Sequence, residues 1–276
     1  MSRAPGWRRL WRHSYRIGFR WLVRDARQGF PAGKVGFARL LVPLDPWRYY
    51  ELGRAADEAF EGRCLDVSSP KLLPSLLSSE GAGTWVCIDL FEHEITAWKL
   101  IDPGLELEVA DATALPFPDA SFDCCACISV LEHIGRGKDA AALAEILRVV
   151  RPGGMLILTT DVAAVAADVH LEDRIYGEAS VETADGVFFK HEYAPAELEQ
   201  LAAGAGWEIE EREYAVQRRP GIERAFYRYV PWSYVVGPFL RFVCARNFRT
   251  SATPELLERS GPGVVYLRLR KPSVAA

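Results

Sequence analysis

Residues 122–160 read FDCCACISVLEHIGRGKDAAALAEILRVVRPGGMLILTT. The stretch opens with an apolar run, Phe122–Ser129, and closes with another, Met155–Thr160. Neither run alternates polar and apolar residues, which is the pattern of strands covered on both faces of a parallel sheet. Between them, Asp139 to Val150 places Leu143, Ile146, Leu147 and Val150 on one face at helical spacing. Arg151-Pro152-Gly153-Gly154 then ends the helix, because proline cannot continue it and glycine tolerates the turn. The stretch is a strand–helix–strand unit.

The same rhythm extends upstream through Arg63–Val67 (RCLDV), Thr84–Leu90 (TWVCIDL) and Leu105–Ala110 (LELEVA). Repeated units of this kind predict right-handed crossovers in a doubly wound α/β sheet. Downstream the rhythm changes. A polar stretch, Asp161–His191, precedes a helix starting near Pro195, and two β-like runs follow, Glu208–Gln217 and Val264–Arg270. No crossover helix separates the last two runs, so they read as an antiparallel pair. The expected fold is therefore a seven-stranded, mostly parallel sheet with an antiparallel last strand. Residues 1–50 form a basic, aromatic extension; residues 51–276 form the domain, with an aromatic and basic insertion at 218–262.

The chain has 276 residues, 49% hydrophobic and 25% charged, which excludes wholesale disorder and a disulfide-dense miniprotein. The net charge of −4 conceals a division. Residues 1–50 carry eleven Arg/Lys against two acids, and residues 218–276 carry eleven against three. The acidic body between them thus holds −21. The longest aromatic stretch free of charge near the C-terminus, Tyr229–Leu240, is broken by Pro231 and Pro238 and is too short to span a bilayer. Arginines interrupt the N-terminus where a secretory signal needs an apolar core, so a cytoplasmic location is expected. Five of the six cysteines lie in apolar runs and read as buried and reduced; no CxxC pair or second ligand cluster points to a metal.

In open α/β sheets, ligands bind at the carboxyl ends of the strands. Asp66, Asp89, Asp111 and Ser129 all fall there. Around them stand Asp111–Asp123 (DATALPFPDASFD), Val130–Ile134 (VLEHI) and Leu147–Gly154 (LRVVRPGG). In order and spacing these words resemble the class I S-adenosylmethionine-dependent methyltransferases, in particular the small-molecule group with the ubiquinone/menaquinone-type domain. The resemblance covers roughly Gly62 to Gln217. It implies a Rossmann-like methyltransferase fold with S-adenosylmethionine as cofactor. It also implies that Asp89 takes the ribose hydroxyls with Leu90 beside the adenine. Asp111 would take the adenine amino group, Ala112 would offer its backbone amide, and Ser129 would lie by the methionine part. A carboxylate with two acceptor oxygens suits a vicinal diol. One departure stands out. Where the family has an acid followed by alternate glycines, this chain reads Asp66-Val67-Ser68-Ser69-Pro70-Lys71. Proline removes an amide donor; the hydroxyls of Ser68 and Ser69 are the candidate replacements.

Methyl transfer needs in-line approach, and a base only if the nucleophile must lose a proton. His133, after the fourth strand, and His191, at the edge of the acceptor side, are the candidate bases. Metal-independent transfer to a small-molecule or lipid-like acceptor is expected, the basic, aromatic N-terminus and the 218–262 insertion suiting a lid over such an acceptor. The rival reading is a non-catalytic binding or scaffold protein on a degenerate methyltransferase fold. A dehydrogenase lacks support without GxGxxG, and no stacking motif or basic groove points to nucleic acid. Read as a helix, the N-terminus aligns Arg8, Arg12, Arg16, Arg20 and Arg24 at i, i+4, beside Trp7, Trp11, Tyr15 and Phe19. That is a membrane-surface signature, consistent with a peripheral place at the inner membrane face. The same row also suits packing on the acidic body, and an Arg-rich, acid-poor start is shared with transit peptides.

Overall fold

The central strand, β1 (Arg63–Val67), buries four of its five residues and pairs in parallel with β2 (Thr84–Asp89) and β4 (Phe122–Ile128). The computed structural model describes residues 5–27, 44–135, 137–172, 182–184, 186–223 and 242–273. β3 (Glu106–Val109) joins β2, and β5 (Val150–Val162) joins β4, both in parallel. β11 (Gly263–Arg270) runs antiparallel between β5 and β9 (Glu208–Gln217). With β10 (Phe248–Ser251) at one edge, the sheet order is β10-β9-β11-β5-β4-β1-β2-β3. Strand order thus reverses between β1 and β4, which opens a crevice at their carboxyl ends.

The sheet has eight strands, one more than the seven expected. The addition, β10 (Phe248–Ser251), lies within the 218–262 insertion and pairs antiparallel with β9 at the edge. Its sequence, FRTS, is too short and too polar to register as a strand. The polar stretch after β5 also holds a small antiparallel sheet, with β8 (Gly186–Glu192) between β6 (Ala167–Leu171) and β7 (Glu182–Thr183). Arg151–Gly154 does end the preceding helix, yet it lies inside β5, which begins directly at Val150. Gly153 takes a φ of 74° there. Residues 224–241, which include Tyr229–Leu240, and residues 28–43 lie outside the described residues.

Alternate strand residues point to opposite faces, so two cores form. Cys64, Cys87, Cys124 and Ile128 face α1 (Gly6–Arg27), α2 (Arg48–Ala55), α3 (Leu72–Ser79) and α4 (Glu92–Ile101). Leu65, Ile88, Cys125 and Cys127 face α5 (Lys138–Val149) and α6 (Pro195–Gly204). All six cysteines are buried and none forms a disulfide. A last helix, α7 (Glu255–Ser260), buries Leu257.

α1 places Leu10, Ile17 and Trp21 in the core, and His13 Nε2 meets Ser75 Oγ on α3 at 2.7 Å. Buried Arg9 pairs with Glu80 and donates to the Ala56 carbonyl at 2.9 Å. Gly6 is required at the crossing with α2, since a Cβ there would stand 2.1 Å from the Gly53 carbonyl oxygen. Among the described residues, no helix is long and apolar enough to cross a membrane.

Candidate active site

Each parallel strand delivers a short loop to the crevice. Loops after β1, β2, β3 and β4 together line a cleft of about 330 Å³ that includes Ser68, Asp89, Leu90, Asp111, Ala112, Ser129 and His133. Asp89 closes β2; its Oδ1 accepts from the Phe91 amide at 3.1 Å and its Oδ2 from Lys71 Nζ at 3.2 Å. Asp111 is exposed and held by its own turn, accepting from Thr113 N and Thr113 Oγ1, both at 2.8 Å. Between the two acids Leu90 stays 50% exposed. An apolar side chain left in water between two carboxylates is one wall of a site for a flat, partly apolar group with donors at its ends.

Ser68 and Ser129, which directly follow β1 and β4, adopt φ angles of 52° and 53°. Non-glycine residues avoid this region, at a cost of about 1–2 kcal/mol each, and such strain collects at functional sites. At Ser68 the family's glycine would carry no such cost. Ser69 turns inward: its Oγ accepts from Ile128 N at 2.7 Å and stitches the β1 loop to the end of β4.

Asp66 is fully buried beneath the loop and does not line the cleft. Lys71 Nζ stands 3.2 Å from its Oδ2, within ion-pair reach. Burial pushes the Asp66 carboxyl up to about 6, with Lys71 opposing. Lys71 itself is buried, and burial works against its charge; Asp66 and Asp89 outweigh that and hold it above the usual lysine range.

Ser129, Arg48 and His133 also border a second compartment of about 530 Å³, walled by Trp47, Glu51, Asp161, Phe189 and Lys190. Phe189 and Lys190 belong to β8, so the small sheet supplies this wall. The His133 ring meets the Phe189 carbonyl through Nδ1 at 2.8 Å. A carbonyl only accepts, so Nδ1 carries the proton and Nε2 is the basic nitrogen. Burial lowers the His133 pKa, which keeps the imidazole neutral. Two buried carboxyls flank the compartment. Glu51 accepts from Arg48 Nη1 at 2.9 Å and from Thr159 Oγ1 at 3.0 Å; burial pushes it up to about 7 against the Arg48 charge. Glu132 accepts from Ser129 Oγ at 2.7 Å and Thr160 Oγ1 at 2.8 Å; burial and the nearby Asp161 charge raise it to about 7.

His191 lies elsewhere. Its ring is buried between Asp168 Oδ1 at 2.5 Å and Glu197 Oε2 at 3.2 Å, and it lines neither compartment. The structure therefore brings Ser68, Asp89, Leu90, Asp111, Ala112, Ser129 and His133 together, places Ser69 on an adjoining cavity of about 480 Å³ with Ser68, Asp89 and Ser129, sets Asp66 beneath them, and leaves His191 in a structural node. Sequence reading passed over Arg48, Glu51, Lys71, Glu132 and Lys190. Glu132 sits inside the quoted word VLEHI and Lys71 inside the departing loop, so both were in view; Arg48, Glu51 and Lys190 arrive from distant segments.

This frame and cleft define a class I S-adenosylmethionine-dependent methyltransferase fold, and residues 65–158 match the family model described as a methyltransferase domain. The chain carries that domain, and the cofactor of its class is S-adenosylmethionine. The cleft residues fit that group: two carboxylates bracket an exposed leucine, and strained serines stand at the two strand ends. Among curated proteins, the chain is 34% identical over 96 residues to the demethylmenaquinone methyltransferase of Renibacterium salmoninarum, covering 35% of this chain and 40% of that protein. It is 40% identical over 82 residues to a ubiquinone/menaquinone biosynthesis C-methyltransferase of Hahella chejuensis, covering 26% of this chain and 32% of that protein. The matches thus span less than half the length of these relatives. A solved candidate methyltransferase of Bacillus halodurans superposes with a TM-score of 0.51 at 18% identity, covering 82% of this chain and 99% of that one.

Proposed function

We propose that this chain transfers the methyl group of S-adenosylmethionine to a small or lipid-like acceptor by in-line displacement, without a metal. The observation that carries the reading is the pair Asp89 and Asp111 bracketing exposed Leu90 in a cleft that shares Ser129 and His133 with a second compartment. When bound, the cofactor supplies an electrophilic methyl on a sulfonium. In this reading Asp89 holds the ribose hydroxyls, Leu90 covers the adenine, and Asp111 with the Ala112 amide takes the adenine edge. Ser68 and Ser129 stand at the methionine end, while Asp66 and Ser69 support the loop from below. His133 Nε2 takes a proton from the acceptor where the nucleophile carries one. The quinone-acting relatives named above support a lipid-like acceptor. Residues 1–50 act as an extension to the domain formed by 51–276.

Calorimetry with S-adenosylmethionine and S-adenosylhomocysteine tests the reading. Binding is expected, and Asp89→Ala is expected to weaken it by about 10- to 100-fold, since bonds to a charged acceptor contribute roughly 1.5–3 kcal/mol each. No binding at millimolar ligand would overturn the assignment.

The outer face of α1 supports a place on an anionic membrane surface. Arg8, Arg12, Arg16 and Arg20 are exposed there, and Phe19 is 59% exposed among them. A basic face with an aromatic anchor suits the headgroup region. Sedimentation with phosphatidylglycerol vesicles at low salt is expected to retain the wild type and release Arg8→Glu/Arg12→Glu/Arg16→Glu; equal retention of the two would refute it.

A further inference from the structure

Lys71 is a buried ammonium, 3% exposed, that neither the match to the family nor the reading of the cleft assigns to anything. Burying a lysine is unfavourable unless partners compensate, and here four oxygens converge on it. Nζ donates to the Ser69 and Ile88 carbonyls, each at 3.0 Å, and to Asp89 Oδ2 at 3.2 Å, with Asp66 Oδ2 also at 3.2 Å. Ser69 and Lys71 belong to the loop after β1, whereas Ile88 and Asp89 end β2. The ammonium therefore ties the two loops together where Ser68 and Pro70 replace a glycine cradle. An ammonium has three protons for these four acceptors. Asp89 Oδ2 is among those that receive one. With Oδ1 held by the Phe91 amide, both oxygens of Asp89 are fixed in place. Their remaining lone pairs belong to a residue that lines the cleft.

We propose that Lys71 is a positioning residue: its ammonium clamps the Asp89 carboxylate in the orientation that receives the ribose diol of the cofactor. The proposal rests on the functional reading given above.

Calorimetry with two ligands tests it: S-adenosylhomocysteine and its 2′,3′-dideoxyribose analogue. Wild type is expected to prefer the ribose form by about tenfold or more, because two hydroxyl bonds to a fixed carboxylate are lost in the analogue. Lys71→Met is expected to reduce that preference to about twofold or less, with affinity for the analogue nearly unchanged. Should Lys71→Met fail to fold, as judged by far-ultraviolet circular dichroism, Lys71→Met/Asp66→Asn keeps the local charge balance and is measured in its place. A merely structural lysine would weaken both ligands alike and keep their ratio, and that result overturns the proposal. Wild type that binds without preferring ribose also overturns it. Wild type that binds neither ligand removes the functional reading and the proposal together, an outcome visible before any variant is made.

Discussion

Replacing Glu132 by glutamine should stabilise this protein at high pH and leave it nearly unchanged at low pH. Glu132 is fully buried on the turn Leu131–His133, where two neutral hydroxyls, Ser129 Oγ and Thr160 Oγ1, donate to its carboxyl. Burial, reinforced by Asp161, moves its carboxyl from 4.5 to about 7. At 1.36 kcal/mol per pH unit, that displacement corresponds to about 3 kcal/mol. The folded state holds the proton more tightly than the unfolded chain, so between pH 4.5 and about 7 the folded state binds more protons. The stabilisation is full below the unfolded value, is lost as pH rises through that window, and is gone above it. Glutamine has the same shape and no charge to desolvate, and both hydroxyls can rotate to suit an amide.

At pH 5 the variant should match wild type within about 1 kcal/mol, the net scale of one hydrogen bond. At pH 8.5 it should exceed wild type by about 2–3 kcal/mol, which for a chain of this size raises Tm by about 5–10 °C. Glu51 adds to the effect, because the Glu132 charge is among the causes that raise it. Urea denaturation at the two pH values, with unchanged m-values, is the assay. A variant that is equally destabilised at both pH values, or no more stable than wild type at pH 8.5, would refute the reasoning. Retaining an acid that weakens the fold at neutral pH makes sense beside a reaction compartment, where stability and activity commonly conflict.

Further perturbations test other links. Ser68→Gly removes left-handed strain of about 1–2 kcal/mol and adds about 0.5–1 kcal/mol of unfolded-state entropy; a Tm rise of a few degrees is expected, and a fall would show that the backbone at Ser68 is unstrained. Arg9→Met should cost about 2 kcal/mol, since it removes the donor to the Ala56 carbonyl and an ion pair with partly exposed Glu80. A loss below about 1 kcal/mol in urea would show that α1 is anchored by its apolar face alone.

The strand ends were legible because their chemistry is local: an apolar run that closes on an acid needs no knowledge of its neighbours. Asp89 and Asp111 follow from that rule and Leu90 from the family resemblance, and the structure places all three in one cleft. Asp66 obeys the same rule and fails, because it lies one residue before the end of β1 and points beneath the loop, not into the cleft. His191 looked equal to His133, since a sequence does not show that Asp168 and Glu197 enclose it. Arg48 and Glu51 were out of reach for a different reason. Glu51 meets Thr159, 108 residues away, and a contact of that separation leaves no periodic trace in the sequence.

The N-terminal helix carries the same lesson to the charge distribution. Two destinations were open for its basic row, a membrane or the acidic body, and the structure turns two arginines of the helix to the body. Arg9, one position off the i, i+4 row, is the residue buried against Glu80, while Arg20, within the row, reaches Asp102 at 3.4 Å from the surface. Arg8, Arg12 and Arg16 remain exposed, beside Phe19. A helix that needed arginines only to neutralise the body would place them on its inner face, where Leu10, Ile17 and Trp21 stand instead. Arg8, Arg12 and Arg16 are therefore the residues on which the proposal of an anionic surface partner rests.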